Sequence, residues 1–262
     1  MNEIRESILN KLEETQNNHN VRIPLAIESG SRGWGFASPD SDYDCRFIYV
    51  HEQDWYLSVL DKKDIIEYAA DEIYDINGWD LKKVLQHLMK SNAVMHEWLY
   101  SNMVYVRNEE ITEILRNLAK QYFNPIAASY HYLSMAINKY NEIQAAEEES
   151  KLKKYFYILR PLANVLYIKE HMKIPYMEYE RNLNEVEIKP EIRREINKLL
   201  EIKKLSDESY KTPKNTILID YFEKIIEATE ENLKEMKFTK NKDYSDIDAA
   251  FKKIIDLAWL ND

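Results

Sequence analysis

The sequence predicts an α+β protein, with a small mixed β-sheet domain over residues 1–122 followed by an all-helical domain over residues 123–262. Three observations carry this. All four glycines lie at or before Gly78, and the 184 residues after it contain none, so the second half lacks the residue that best tolerates positive φ. Before Gly78 most apolar residues fall in short runs rich in β-branched and aromatic side chains, whereas beyond Leu81 they return at helical spacing. The corners of the second half are marked by proline, at Pro125, Pro190 and Pro213.

Taken in chain order, Ile4, Ile8, Leu9 and Leu12 recur at helical spacing and predict an opening helix. Four strands are predicted next, at VRIPLAIE (21–28), YDCRFIYVH (43–51), IIEYA (65–69) and EIYDI (72–76). Gly78 reads as the corner after the last of them, and Asp80 as the N-cap of a helix carrying Leu81, Val84, Leu85 and Leu88. Further helices are predicted near 109–119, 123–142, 147–171, 190–204, 214–236 and 246–259, with Pro161 kinking the third. The stretch AAEEES (145–150) reads as a solvated helix end or a loose connection. The alternating charges of 188–205 fit a solvated helix face.

With 262 residues, 45% of them hydrophobic, the chain can bury one large core or two modest ones. No apolar run is long enough to span a membrane and no secretory leader is visible, so a cytoplasmic protein without a membrane partner is expected. The single cysteine, Cys45, cannot form an internal disulfide and reads as a small apolar side chain. The net charge of −10 argues against broad binding to a phosphate backbone. Residues 1–125 hold 13 Lys/Arg against 21 Asp/Glu and residues 126–262 hold 23 against 25, so a bound polyanion would draw its positive charge from the second half.

The chemistry concentrates in GSRGWGFASPDSDYD (30–44), which contains three of the four glycines. A glycine cluster after an apolar strand lets backbone N–H groups approach a phosphate. The spacing matches neither a Walker-A loop nor the dinucleotide G-x-G-x-x-G fingerprint. Asp42 and Asp44 stand two apart at the start of a strand and so project to one side. Such a pair repels unless a cation sits between its members or one is protonated, and Mg²⁺ suits carboxylates that act with substrate phosphates. Together these features suggest a device for a nucleoside triphosphate. Asp40 belongs to the turn that precedes it.

Gly30-Ser31 followed by Asp42-x-Asp44 resembles the G-S-x(n)-D-x-D signature of the DNA polymerase β nucleotidyltransferase superfamily. The stretch ESGSRGWGFASPDSDYDCRFIY is most similar to a bacterial and phage branch associated with RNA ligase and RNA-repair operons. That branch also shares a segment like DINGWDLKKVLQHLMKSNAVMHEWL (75–99), which places a third carboxylate at Asp75, with Asp71 and Asp80 close by. The resemblance implies a polymerase β-like catalytic domain whose far wall is the helical domain. It implies that Asp42, Asp44 and Asp75 hold Mg²⁺ or Mn²⁺, with Asp75 beside the acceptor hydroxyl, and that Gly30 and Ser31 grip the distal phosphates. More weakly, through KLKKYFYILRPLANVLYIKEHMKIPYMEY (151–179), it implies nucleotide contacts from Lys154 and Arg160.

Other side chains read otherwise. Trp34 and Phe36 either flank a base or seal the loop onto a core, with packing favoured. Arg32 and Arg46 either touch phosphate or pair with Glu28 or an aspartate. His87, His96, His131 and His171 lack metal-ligand spacing, and the scattered tyrosines read as core-edge residues. The expected function is therefore metal-dependent transfer of a nucleoside monophosphate from an NTP to an acceptor hydroxyl on an RNA end, a small molecule or a protein. The alternative is a non-catalytic nucleotide-binding module, regulatory or toxin-neutralising. The sequence leaves the base preference, the acceptor and the oligomeric state open.

Overall fold

A computed structural model describes residues 2–68, 73–238 and 243–260. The chain divides into two compact units, one of Met1–Gly30, Asp42–Tyr122 and Lys240–Asp262, the other of Ser31–Ser41 and Phe123–Thr239. Asp71, one of the two aspartates close to Asp75, and the expected strand residues Ala69 and Glu72 lie outside the described residues.

The first unit opens with helix α1 (Asn2–His19) and strand β1 (Arg22–Glu28). A short helix α2 (Gly30–Trp34) follows where a loop is expected from the glycines, and the division between the units falls after its first residue. Then come β2 (Tyr43–Val50), α3 (Gln53–Tyr56), β3 (Ile65–Glu67), β4 (Tyr74–Asp80), α4 (Leu81–Met89), α5 (Ala93–Leu99), β5 (Val104–Arg107) and α6 (Glu109–Tyr122). The sheet has the order β3-β4-β2-β1-β5 and is mixed: β2 and β4 run parallel, the other pairs antiparallel. Cys45, Phe47 and Tyr49 from β2 share a core with Ile8, Leu12, Val21, Ala26 and Ile76. Cys45 is thus the small apolar filler its isolation suggests, and burial pushes its thiol up.

Two details correct the expected boundaries. Gly78 is no corner: it sits inside β4 opposite Phe47, and a Cβ there would lie 2.1 Å from the phenyl ring. Glycine at this point is what lets the ring cross the neighbouring strand. The corner falls after Asp80, whose carboxylate accepts from the Lys82 N–H at 2.8 Å and from the Tyr56 hydroxyl at 2.8 Å, the expected capping role. Strand β5 is absent from the prediction, because VYVR is too short to be told from a loop without its partner β1.

The second unit holds α7 (Pro125–Gln144), β6 (Glu149–Lys151), α8 (Lys153–His171), α9 (Tyr179–Asn184), α10 (Pro190–Leu205), β7 (Lys211–Pro213) and α11 (Thr216–Glu235). Pro125 and Pro190 open their helices, and Asn124 and Asn215 cap α7 and α11. The helix expected over 147–171 is shorter. Glu149–Lys151 instead pairs antiparallel with Lys211–Pro213, and α8 begins at Lys153 and continues through Pro161. Helices α7, α8 and α11 pack on one another, and α10 and α9 pack on this group. The last helix, α12 (Ser245–Trp259), belongs to the first unit and packs on α4, α6 and β1. No described helix is long and apolar enough to cross a membrane.

Candidate active site

In the first unit, the sheet gathers two of the three predicted carboxylates. Asp44 on β2 and Asp75 on β4 are register partners in the parallel ladder. Between them reaches Arg46, two residues beyond Asp44 and therefore on the same face. Its guanidinium donates to Asp44 Oδ1 at 3.1 Å, to Asp75 Oδ2 at 2.6 Å and to the Asp75 carbonyl at 2.8 Å. Arg46 thus takes the aspartate-pairing role and not the phosphate-facing one, and sequence reasoning left those two open. The period of two through Asp42, Asp44 and Arg46 is the signal that would have singled it out.

Glycine at position 30 has a steric cause. It adopts φ +56°, and a Cβ on it would fall 1.7 Å from Asp44 Oδ2, inside the carboxylate itself. The Ser29 N–H donates to the Asp44 carbonyl at 2.8 Å, which ties the start of the Gly-Ser segment to β2. Glu28 was missed as a site residue. Fully buried, it accepts from the Asp44 N–H at 2.9 Å and from the Tyr105 hydroxyl, so it fixes the point where β2 presents Asp44.

The electrostatics are those of crowded carboxylates. Burial raises Asp44 from 3.8 to about 6. Arg46 opposes this, while Asp75 and Asp42 add to it. Asp42 is exposed just before β2 and acts on Asp44 through its charge. Among the described residues, no three His, Cys, Asp or Glu side chains are gathered in metal-holding geometry. The donors at hand are nonetheless the hard oxygens a Mg²⁺ ion takes, and the negative charge around Asp44 exceeds what Arg46 alone supplies. The donor set fits such an ion.

The other predicted contacts belong to the helical unit. Ser31 is buried at the start of α2, where its carbonyl accepts from the Phe36 N–H at 2.9 Å. Lys154 lies near the start of α8, 3.0 Å from Glu142. Arg160 is 1% exposed, with its guanidinium 4.0 Å from the Trp34 ring centroid. Phe36 stacks on Phe156 and Trp34 meets Tyr157 edge-on, so this aromatic pair seals its loop onto α8 as the packing reading expects. Arg32 donates to the Ser41 carbonyl at 2.6 Å, closing the same loop.

A mixed sheet with paired aspartates, followed by helices, is the architecture of the polymerase β-like nucleotidyltransferases. The model of the RNA repair pathway DNA polymerase beta family matches residues 4–253, and the chain belongs to that family. It is 36% identical over 256 residues to the uncharacterized protein YcgL of Bacillus subtilis (strain 168), covering 98% of each chain. Among solved structures it is similar to a nucleotidyltransferase-like protein from Exiguobacterium sibiricum 255-15. That match has 10% identity and a TM-score of 0.32, covers 88% of this chain and 74% of the other, and is too slight to argue from.

Proposed function

We propose that the protein transfers a nucleoside monophosphate from an NTP to an acceptor hydroxyl, releasing pyrophosphate, with Mg²⁺ or Mn²⁺ as cofactor. The observation that carries this is the apposition of Asp44 and Asp75 across the parallel ladder, one carboxylate filling the space a side chain at Gly30 would need. Membership of the family supports the reaction class.

In this reading Asp42, Asp44 and Asp75 supply the carboxylate oxygens that hold the cation. A cation held there would supply positive charge against the phosphate oxygens during transfer. Arg46 keeps Asp44 and Asp75 apart and oriented while no substrate is present. Gly30 leaves backbone N–H groups open to a phosphate, Ser31 adds a hydroxyl, and Lys154 adds a point charge. Arg160, buried beneath Trp34, contributes by positioning that loop. Asp75 accepts the proton of the acceptor hydroxyl.

Equilibrium binding of a fluorescent NTP in the presence of Mn²⁺ tests the site. Wild type is expected to bind, and Asp42→Ala and Asp44→Ala to lose most of the affinity. Absence of NTP binding, or variants indistinguishable from wild type, refutes the reading. Retention of NTP without any pyrophosphate release identifies the binding-module alternative instead.

A further inference from the structure

The helical unit contains a cavity of about 530 Å³ lined by Lys139, Lys151, Lys153, Lys154 and Lys211, with Glu142 and Glu149 as the acidic members. In a chain of net charge −10, this leaves a local surplus of three positive charges. The nucleotide reading uses only Lys154. Glu142 is shared by Lys139, at 2.6 Å, and Lys154, at 3.0 Å, and Lys153 lies 3.3 Å from Glu208.

Lys151 and Lys211 are different. They are register partners in the antiparallel β6–β7 ribbon, so two like charges stand directly opposite each other, an arrangement that is destabilising by itself. Neither has a carboxylate within ion-pairing distance among the described residues. That paired repulsion, at a cavity with three further lysines, points to an anionic ligand with oxygen acceptors.

We propose that this cavity binds the phosphodiester backbone of a single-stranded RNA, which the transferase reading would make the acceptor. All the cations are lysines, point charges on flexible stems that can each meet a separate phosphate along a chain. The half-buried ring of Tyr157 lines the same cavity, held edge-on by Trp34 at 5.6 Å, and offers a face for a base. The acceptor role rests on the transferase reading, whereas the binding site does not.

Fluorescence anisotropy of the full chain with a labelled single-stranded oligoribonucleotide, about 12 nucleotides long, tests this without requiring turnover. Lys151→Ala/Lys211→Ala is expected to lose roughly tenfold in RNA affinity and to reduce the salt slope by about 1.4, at about 0.7 per phosphate contact. NTP binding with Mn²⁺ stays within twofold of wild type, and Lys151→Arg/Lys211→Arg keeps RNA affinity. Failure of wild type to bind RNA at low salt, an unchanged affinity in the alanine variant, or a parallel loss of NTP binding overturns the proposal. Because NTP binding is a separate arm, loss of the transferase reading leaves the RNA result interpretable.

Discussion

Asp44 and Asp75 face each other across the parallel pairing of β2 and β4, and one guanidinium, that of Arg46, donates to both carboxylates. The arginine occupies the position between like charges that a cation would otherwise fill. Arg46→Met should therefore destabilise the metal-free protein, by about 1–2 kcal/mol given the partial exposure of the three groups. Thermal melts with and without Mn²⁺ check this: the ion should raise the midpoint more in the variant than in wild type. An equal response in both proteins would mean the carboxylates do not compete for cations.

Gly30 and Gly35 separate steric exclusion from backbone preference. Both have positive φ, at +56° and +94°, but an added Cβ meets the Asp44 carboxylate at Gly30 and nothing within 4 Å at Gly35. Gly35→Ala should cost about 1–2 kcal/mol of backbone strain. Gly30→Ala should cost more than about 3 kcal/mol, since Asp44 must also move. Urea denaturation of both variants measures the difference.

Acid should stabilise the sheet unit in a defined window. Burial raises both Asp44 and Asp80 from 3.8 to about 6; Arg46 opposes it at Asp44, and bonds from Tyr56 and the Lys82 N–H oppose it at Asp80. Each carboxyl binds its proton more tightly folded than unfolded, so their contribution falls as pH rises from about 4 to about 6. Asp80→Asn, which keeps a capping oxygen, should flatten that slope, whereas Asp80→Ala should cost about 1–2 kcal/mol through loss of the cap. Stability curves at several pH values decide between these.

In the helical unit, Lys203 is 1% exposed, and its ammonium donates to Ser38 Oγ at 2.6 Å and to Glu208 Oε1 at 2.8 Å. Ser41 donates to the same carboxylate oxygen at 2.6 Å. Burial alone would raise Glu208, but these bonds outweigh it and hold the carboxyl below its usual range. Lys203→Met should cost about 1–3 kcal/mol, because it takes the buried cation from Ser38 and Glu208 and leaves Glu208 only Lys153, at 3.3 Å. Hydrogen exchange should show residues 36–41 losing protection first.

Much of this was legible in the sequence, and the reasons differ by element. The Gly-Ser and Asp-x-Asp spacing identified the family, and the period of two placed Asp44 on a strand face, because both are local. Asp75 needed the partner strand: its place opposite Asp44 is a matter of register, which no local pattern encodes. The same holds for β5 and for the β6–β7 ribbon, whose strands of three or four residues exist only through distant pairing. Arg46 was ambiguous because one of its two partners, Asp75, lies 29 positions away, and Glu28 was considered only as an arginine partner because its buried role depends on Tyr105.

Nucleotidyl transfer is tested most directly by incubating the full chain with α-labelled NTPs, Mg²⁺ and separate RNA, protein and metabolite pools. Label is expected to become covalently attached to one pool with stoichiometric pyrophosphate release, both abolished by Asp44→Ala. Label that stays in free nucleotide in every pool, with no pyrophosphate formed by the wild-type protein, would contradict it.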